Sequence, residues 1–270
     1  MRIGSQLVQI SGSSVLLTGA SGGLGQAIAR ALHARGAQLI LTGRRAEVLE
    51  PLAAQLHGRA LAADLSDRVG LERLLDEAGR VDVLVANAAL PATGRLDSFS
   101  FEEIDRALEV NLRAPIALAR ALLPAMLERA SGHLLFMSSL AGKAATPMSS
   151  LYNASKYGLR GFSSALRAEL RGSGVGVSAV FPGFIRDAGM FADADVSLPS
   201  GVGTRSPEDV ARAVLSAIER NRGEVDVAPL ALRVGAIFAG VAPELAGSVS
   251  RRMGAEEITQ GLADGQQDKR

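Results

Sequence analysis

The run Ser14-Val15-Leu16-Leu17-Thr18 stops at Gly19-Ala20-Ser21-Gly22-Gly23-Leu24-Gly25. Beyond it, residues 26–35 carry Ile28, Leu32 and several alanines at helical spacing, and Gly36 ends the pattern. A short buried strand that enters a helix through a glycine turn leaves the chain few choices of fold. The glycines let backbone approach a pyrophosphate, and the helix start offers free N–H groups and a positive dipole end. Gly19, Ser21, Gly22, Gly23, Leu24 and Gly25 are therefore candidate phosphate-binding residues. The spacing is Gly-x-x-x-Gly-x-Gly, and the same turn could also serve as an ordinary loop between strand and helix.

The alternation continues along the chain. Apolar runs at 37–42, 60–63, 81–85, 133–137, 175–180 and 224–227 read as strands. Helices are expected at about 47–56, from near Ser66, after Ser100, at about 150–171, and from the capping-box-like Ser206-Pro207-Glu208-Asp209 to about Asn221. Pro124 is expected to kink or end a segment of the long helical region that holds Asn111. Strand-helix repetition of this kind gives an α/β fold, a doubly wound parallel sheet, as a single domain over residues 14–228. Residues 1–13 read as an N-terminal extension and 185–203 as a mobile covering segment. Residues 229–270 read as an apolar helical tail, polar and frayed from Gly261 onward. Three readings of that tail stand open: an amphipathic helix packed on its own subunit or a neighbour, a lid, or peripheral membrane attachment.

The second strand ends at Gly43-Arg44-Arg45, where a dinucleotide fold faces the adenosine ribose. A carboxylate there would accept from a 2′-hydroxyl; Arg44 and Arg45 instead suit a 2′-phosphate. Two arginines at a helix start oppose its dipole, which favours the phosphate role over that of solvated helix-start residues. The expected cofactor is NADP (NADPH). After the third strand, Asp64 could accept from the adenine amino group or cap the following helix, with Leu65 beside it.

The strongest candidate for chemistry is Tyr152-Asn153-Ala154-Ser155-Lys156. Four residues make about one helical turn, so phenol and ammonium share a face. A nearby cation favours the phenolate and is expected to lower the tyrosine pKa toward the working range. Upstream, Ser138-Ser139 closes a strand that would deliver a hydroxyl to the sheet's carboxyl edge. Hydroxyl, phenol and cation together can protonate a carbonyl oxygen or deprotonate an alcohol.

Composition narrows the alternatives. A formal net charge of +1 gives no reason to expect a nucleic-acid partner or an anionic membrane. There are no cysteines, and His33, His57 and His133 form no ligand spacing, so no metal site is expected. No uncharged apolar stretch approaches ~20 residues and the start carries no secretory pattern, so a cytoplasmic protein without an integral membrane segment is expected. Only three of the 29 basic residues are lysines, Lys143, Lys156 and Lys269, and one of them follows Tyr152 by four.

Over residues 14–183 these features together resemble the short-chain dehydrogenase/reductase family in its compact single-domain form. The resemblance rests on TGxxxGxG at Thr18–Gly25, Asn87-Ala88, Asn111, Ser139, YxxxK at Tyr152–Lys156, and Pro182-Gly183. It implies a Rossmann fold and hydride transfer between nicotinamide and a carbonyl or alcohol. By resemblance Tyr152 is the acid/base and Ser139 bonds the reacting oxygen. Lys156 binds the nicotinamide ribose and tunes Tyr152, and Asn111 supports a water relay. Asn87, Ala88, Pro182, Gly183 and the backbone of Ile185 fall on cofactor-binding positions. Asp187 stands where the family commonly has a threonine. Apolar residues such as Leu140, Phe184, Met190 and Phe191 point to a hydrophobic substrate, and a homodimer or homotetramer is implied. The alternative class is an NADP(H)-binding regulatory or scaffolding protein without turnover.

Overall fold

A computed structural model describes residues 8–194, 196, 198, 202–252 and 255–266, with the side chains of 249–252 and 255 left aside. The sheet order is β3-β2-β1-β4-β5-β6-β7, with every pairing parallel. The strands are β1 (Ser14–Thr18), β2 (Gln38–Gly43), β3 (Arg59–Ala62), β4 (Val83–Ala86), β5 (Gly132–Met137), β6 (Val175–Pro182) and β7 (Glu224–Val227). The first helices are α1 (Gly23–His33), α2 (Ala46–Gln55), α3 (Arg68–Ala78), α4 (Phe101–Leu108), α5 (Ala114–Glu128) and α6 (Ser150–Glu169). Then come α7 (Met190–Asp193), α8 (Pro207–Glu219), α9 (Leu230–Val241), α10 (Pro243–Arg252) and α11 (Ala255–Asp264).

The strands read as continuous apolar runs because both faces are covered. Alternate residues separate to opposite sides: Val15, Leu17, Leu39, Leu41, Val83 and Val85 join α1, α2 and α8. Leu16, Ile40, Leu84, Leu134 and Phe136 join α3, α5 and α6. The extension contributes to the first layer, since Val8 and Ile10 are buried there. Strand order reverses between β1 and β4, so the crevice for a ligand opens at the carboxyl ends of those two strands.

Three expectations need correction. Asp67, not Asp64, caps α3, accepting from the N–H groups of Val69 and Gly70; Asp64 instead accepts from the N–H and hydroxyl of Ser66. Pro124 lies inside α5, which runs on to Glu128. The irregularity in that region is a π-helical turn, Glu109–Arg113, that joins α4 to α5 and holds Asn111. The tail is three helices, not one, and the stretch from Gly261 is ordered through Gln266; residues 267–270 lie outside the described part. Of the covering segment, residues 195, 197 and 199–201 also lie outside it.

By length and composition the run Phe101–Glu128 is apolar enough to cross a membrane, and 44% of its most apolar window is buried inside the protein. Leu118, Ala119 and Met126 on it pack in the second core layer.

Candidate active site

The glycine turn is shaped by close approach. Gly19 has φ +65°, and a Cβ there would sit 2.8 Å from Ala88 Cα; a Cβ on Gly25 would sit 2.2 Å from Gly19 O. Any side chain at either position would break the contact of β1, α1 and β4. The start of α1 has no side-chain cap and no acidic residue in its first turn. An uncapped helix start behind a glycine cradle fits a dinucleotide diphosphate on its N–H groups. Thr18 ties the cradle to β4: its hydroxyl accepts from the N–H groups of Asn87 and Ala88 at 3.0 and 2.9 Å. Asn87 Nδ2 returns a bond to Thr18 O at 3.0 Å.

At the end of β2, Arg44 and Arg45 are exposed and border the same cavity. Arg45 Nη2 donates to Ser21 O at 2.6 Å, which holds it against the turn. Arg44 lies within electrostatic reach of Asp64. Partial burial works against the Asp64 carboxylate, but the two bonds from Ser66 and the charges of Arg106 and Arg44 hold its pKa below the ordinary value.

Ser139, Tyr152 and Lys156 meet where β5 ends against α6. Ser138 Oγ donates to Lys156 O at 3.0 Å, fastening the helix to the strand end. Lys156 is 2% exposed; its ammonium donates to Met137 O at 3.0 Å and lies 5.5 Å from the centre of the Tyr152 ring. Burial pulls the Lys156 pKa down to about 8. Burial also raises the Tyr152 phenol above its ordinary value, and its hydrogen bond with Ser139 offsets only part of that. The lysine was expected to lower the phenol pKa; in this dry setting desolvation of both groups prevails. Asn153 sets the neighbouring loop, donating to Ala141 O and Ala144 O at 2.6 and 3.1 Å.

Every candidate named from the sequence borders one cavity of about 1420 Å³ except Asn111. That side chain is 1% exposed and spent on Leu90, donating to its carbonyl at 2.9 Å and accepting from its N–H at 2.6 Å. It shapes the wall that Leu90 presents. Pro182, Gly183 and Ile185 line the end of β6. Asp187 borders the cavity with φ +67° and pairs with Arg186 at 3.3 Å.

Thr18 and Asn153 went unassigned in the sequence. Thr18 was visible as the first letter of TGxxxGxG, and Asn153 carries no local signal. From the tail, Leu232, Ala236 and Phe238 of α9 and Ile258 and Leu262 of α11 line the cavity, as do Leu140, Met190 and Phe191. The outer side of α9 leaves Leu230, Val234, Ile237 and Val241 exposed.

A family model described as short chain dehydrogenase matches residues 13–196. The chain belongs to the short-chain dehydrogenase/reductase family. Among its relatives in that family, "Ketoacyl reductase HetN" of Nostoc sp. is 38% identical over 230 residues, covering 82% of this chain and 80% of its own. "Dehydrogenase/reductase SDR family member 7B" of Xenopus laevis is 32% identical over 254 residues, covering 86% and 78%. A solved short-chain dehydrogenase from Sphingobium yanoikuyae, in complex with NADPH, superimposes with a TM-score of 0.75 at 29% identity, covering 86% of this chain and 95% of that one.

Proposed function

We propose that this short-chain dehydrogenase/reductase is an NADP(H)-dependent enzyme that reduces a carbonyl, or oxidises a secondary alcohol, of a hydrophobic substrate. The observation that carries the reading is the convergence of Ser139, Tyr152 and Lys156 on a cavity that also holds the glycine cradle and Arg44-Arg45. NADPH in the Sphingobium relative and the ketoacyl reductase name of the Nostoc relative support it. Bound NADPH supplies the hydride. Gly19 to Gly25 hold its diphosphate, Arg44 and Arg45 its 2′-phosphate, Lys156 its nicotinamide ribose, and Ile185 its carboxamide. Asp64, Leu65, Asn87, Ala88, Pro182 and Gly183 complete that wall.

In reduction, Tyr152 gives its phenolic proton to the carbonyl oxygen, which Ser139 orients, and Lys156 stabilises the phenolate left behind. Asn111, whose side chain is bonded to Leu90, supports the water relay that returns a proton to Tyr152. Because burial keeps Tyr152 protonated at neutral pH, the residue begins the reducing direction in the form it needs. Tyr152→Phe is expected to lower kcat for ketone reduction by roughly 10²-fold or more while leaving NADPH affinity nearly unchanged. A variant that retains activity would overturn the acid/base role. A wild type that binds NADPH and reduces no carbonyl would favour the regulatory reading.

The same reading makes the protein a cytoplasmic homodimer or homotetramer, joined through the outer faces of α4, α5 and α6. Phe101, Leu127 and Tyr157 are exposed there. Light scattering is expected to give a multiple of the 28.0 kDa chain mass, and Phe101→Glu to lower it. A monomeric wild type contradicts this arrangement, and recovery with membranes after cell fractionation contradicts the location.

A further inference from the structure

Gln266 uses only one end of its side chain. It is 2% exposed. Its Nε2 donates to Met190 O at 2.6 Å, whereas the buried Oε1 has no partner among the described residues. The bond to a carbonyl fixes which end of the amide is the nitrogen, so the free atom is an acceptor only. Buried polar atoms are rarely left unmatched, and each exception calls for a reason. The other orphan side-chain atoms among the described residues belong to Thr42, Arg106 and Arg129, none of which borders the large cavity. Gln266 does border it, as do Leu262 and Ile258, four and eight residues earlier. Ile258 and Leu262 share one face of α11, and Gln266 lies in the turn that follows the helix. The tail therefore lines this part of the cavity with two apolar side chains and a glutamine whose acceptor is dry.

We propose that Gln266 is a specificity-determining residue whose amide oxygen accepts a hydrogen bond from an O–H or N–H group on the substrate, away from the reacting carbonyl. The proposal rests on the oxidoreductase reading and sharpens its substrate class to a lipophilic carbonyl compound with a second, hydrogen-donating group, such as a long hydroxy-ketone. Apolar neighbours along this part of the wall, Met190, Phe191, Ile258 and Leu262, suit such a molecule better than they suit the polar cofactor. A site built around a substrate hydroxyl rejects the analogue that lacks it, because its own polar atom is then left dry. For a single neutral acceptor the expected discrimination in kcat/KM is on the order of ten- to a hundred-fold.

The test uses the full chain, NADPH, and a series of straight-chain alkan-2-ones paired with their terminally hydroxylated counterparts, the chain length stepped to scan the distance. The wild type is expected to prefer the hydroxylated partner by roughly tenfold or more at one length. Gln266→Met, similar in length without donor or acceptor, is expected to bring that ratio near one, and Gln266→Glu, which keeps an acceptor, to retain it. A ratio near one in the wild type at every length would overturn the proposal, as would a ratio preserved in Gln266→Met. Equal losses on both ketones in both variants would mark Gln266 as a clasp on Met190 and nothing more. A weaker NADPH affinity in Gln266→Met with the ratio intact would put the donor on the cofactor, again contrary to the proposal. Reduction of both ketones alike leaves the oxidoreductase reading standing, whereas reduction of neither removes both.

Discussion

Lys156 bears a desolvation cost that an exposed lysine would not. Below pH 8 the side chain is charged in folded and unfolded chains alike, so the full cost of burying it is present. Between about 8 and 10.5 the folded state gives up its proton first, and stability rises with pH; above 10.5 the cost is gone. The shift corresponds to about 3 kcal/mol, from which about 1 kcal/mol is recovered by the bond to Met137 O. Lys156→Met is therefore expected to stabilise the fold by about 2 kcal/mol at pH 7, with the gain fading at alkaline pH, while activity is lost. Urea unfolding at the two pH values checks this; a destabilised variant at pH 7 would mean the ammonium is well solvated. The spacing of Tyr152 and Lys156 made their partnership legible in the sequence. The direction of the tyrosine shift was not legible, because spacing says which groups are neighbours and not how dry their surroundings are. Lysine scarcity was a better clue than it looked, since Lys143 is also buried, bonded to Asp226 and Glu224 at 2.6 and 2.8 Å.

Where β5 pairs with β6, His133 faces Ser178 at 2.9 Å with the ring buried. Burial, with Arg167 nearby, pushes its pKa down to about 3 from 6.5. The folded state thus refuses a proton that the unfolded chain accepts, and stability present above pH 6.5 is lost as pH falls toward 3. That loss amounts to about 4–5 kcal/mol. His133→Leu is expected to flatten the acid limb of a stability profile over this range, and an unchanged limb would mean that the ring is accessible to protons. Among the elements, the seven strands and the alternation of helices followed from apolar runs, helical spacing and cap or glycine signals. The π-helical turn did not, since the phase slip it makes is hidden where α5 is apolar on nearly every side. Nor did the choice of cap: Asp64 and Asp67 both precede α3 within a turn, and only the backbone path decides which carboxylate meets the free N–H groups.

Across the molecule, the carboxyl edge of the sheet supplies one wall of the cavity and the tail supplies the other. The sheet wall was legible because the family-like motifs fall at strand ends, where a doubly wound fold gathers them. The tail wall was not, since an apolar helix reads the same whether it covers a neighbour, a membrane or a ligand. The proposed reading sets NADP(H) along the sheet wall, on the glycine cradle and Arg44-Arg45, and the substrate between it and the tail. The most direct test is a titration of the purified protein with NADPH and with NADH, followed by nicotinamide fluorescence, for the wild type and Arg44→Ala. Tighter binding of NADPH by roughly tenfold or more, narrowed by the substitution, is the expected result. Equal or tighter binding of NADH by the wild type, or failure to bind either, would contradict it.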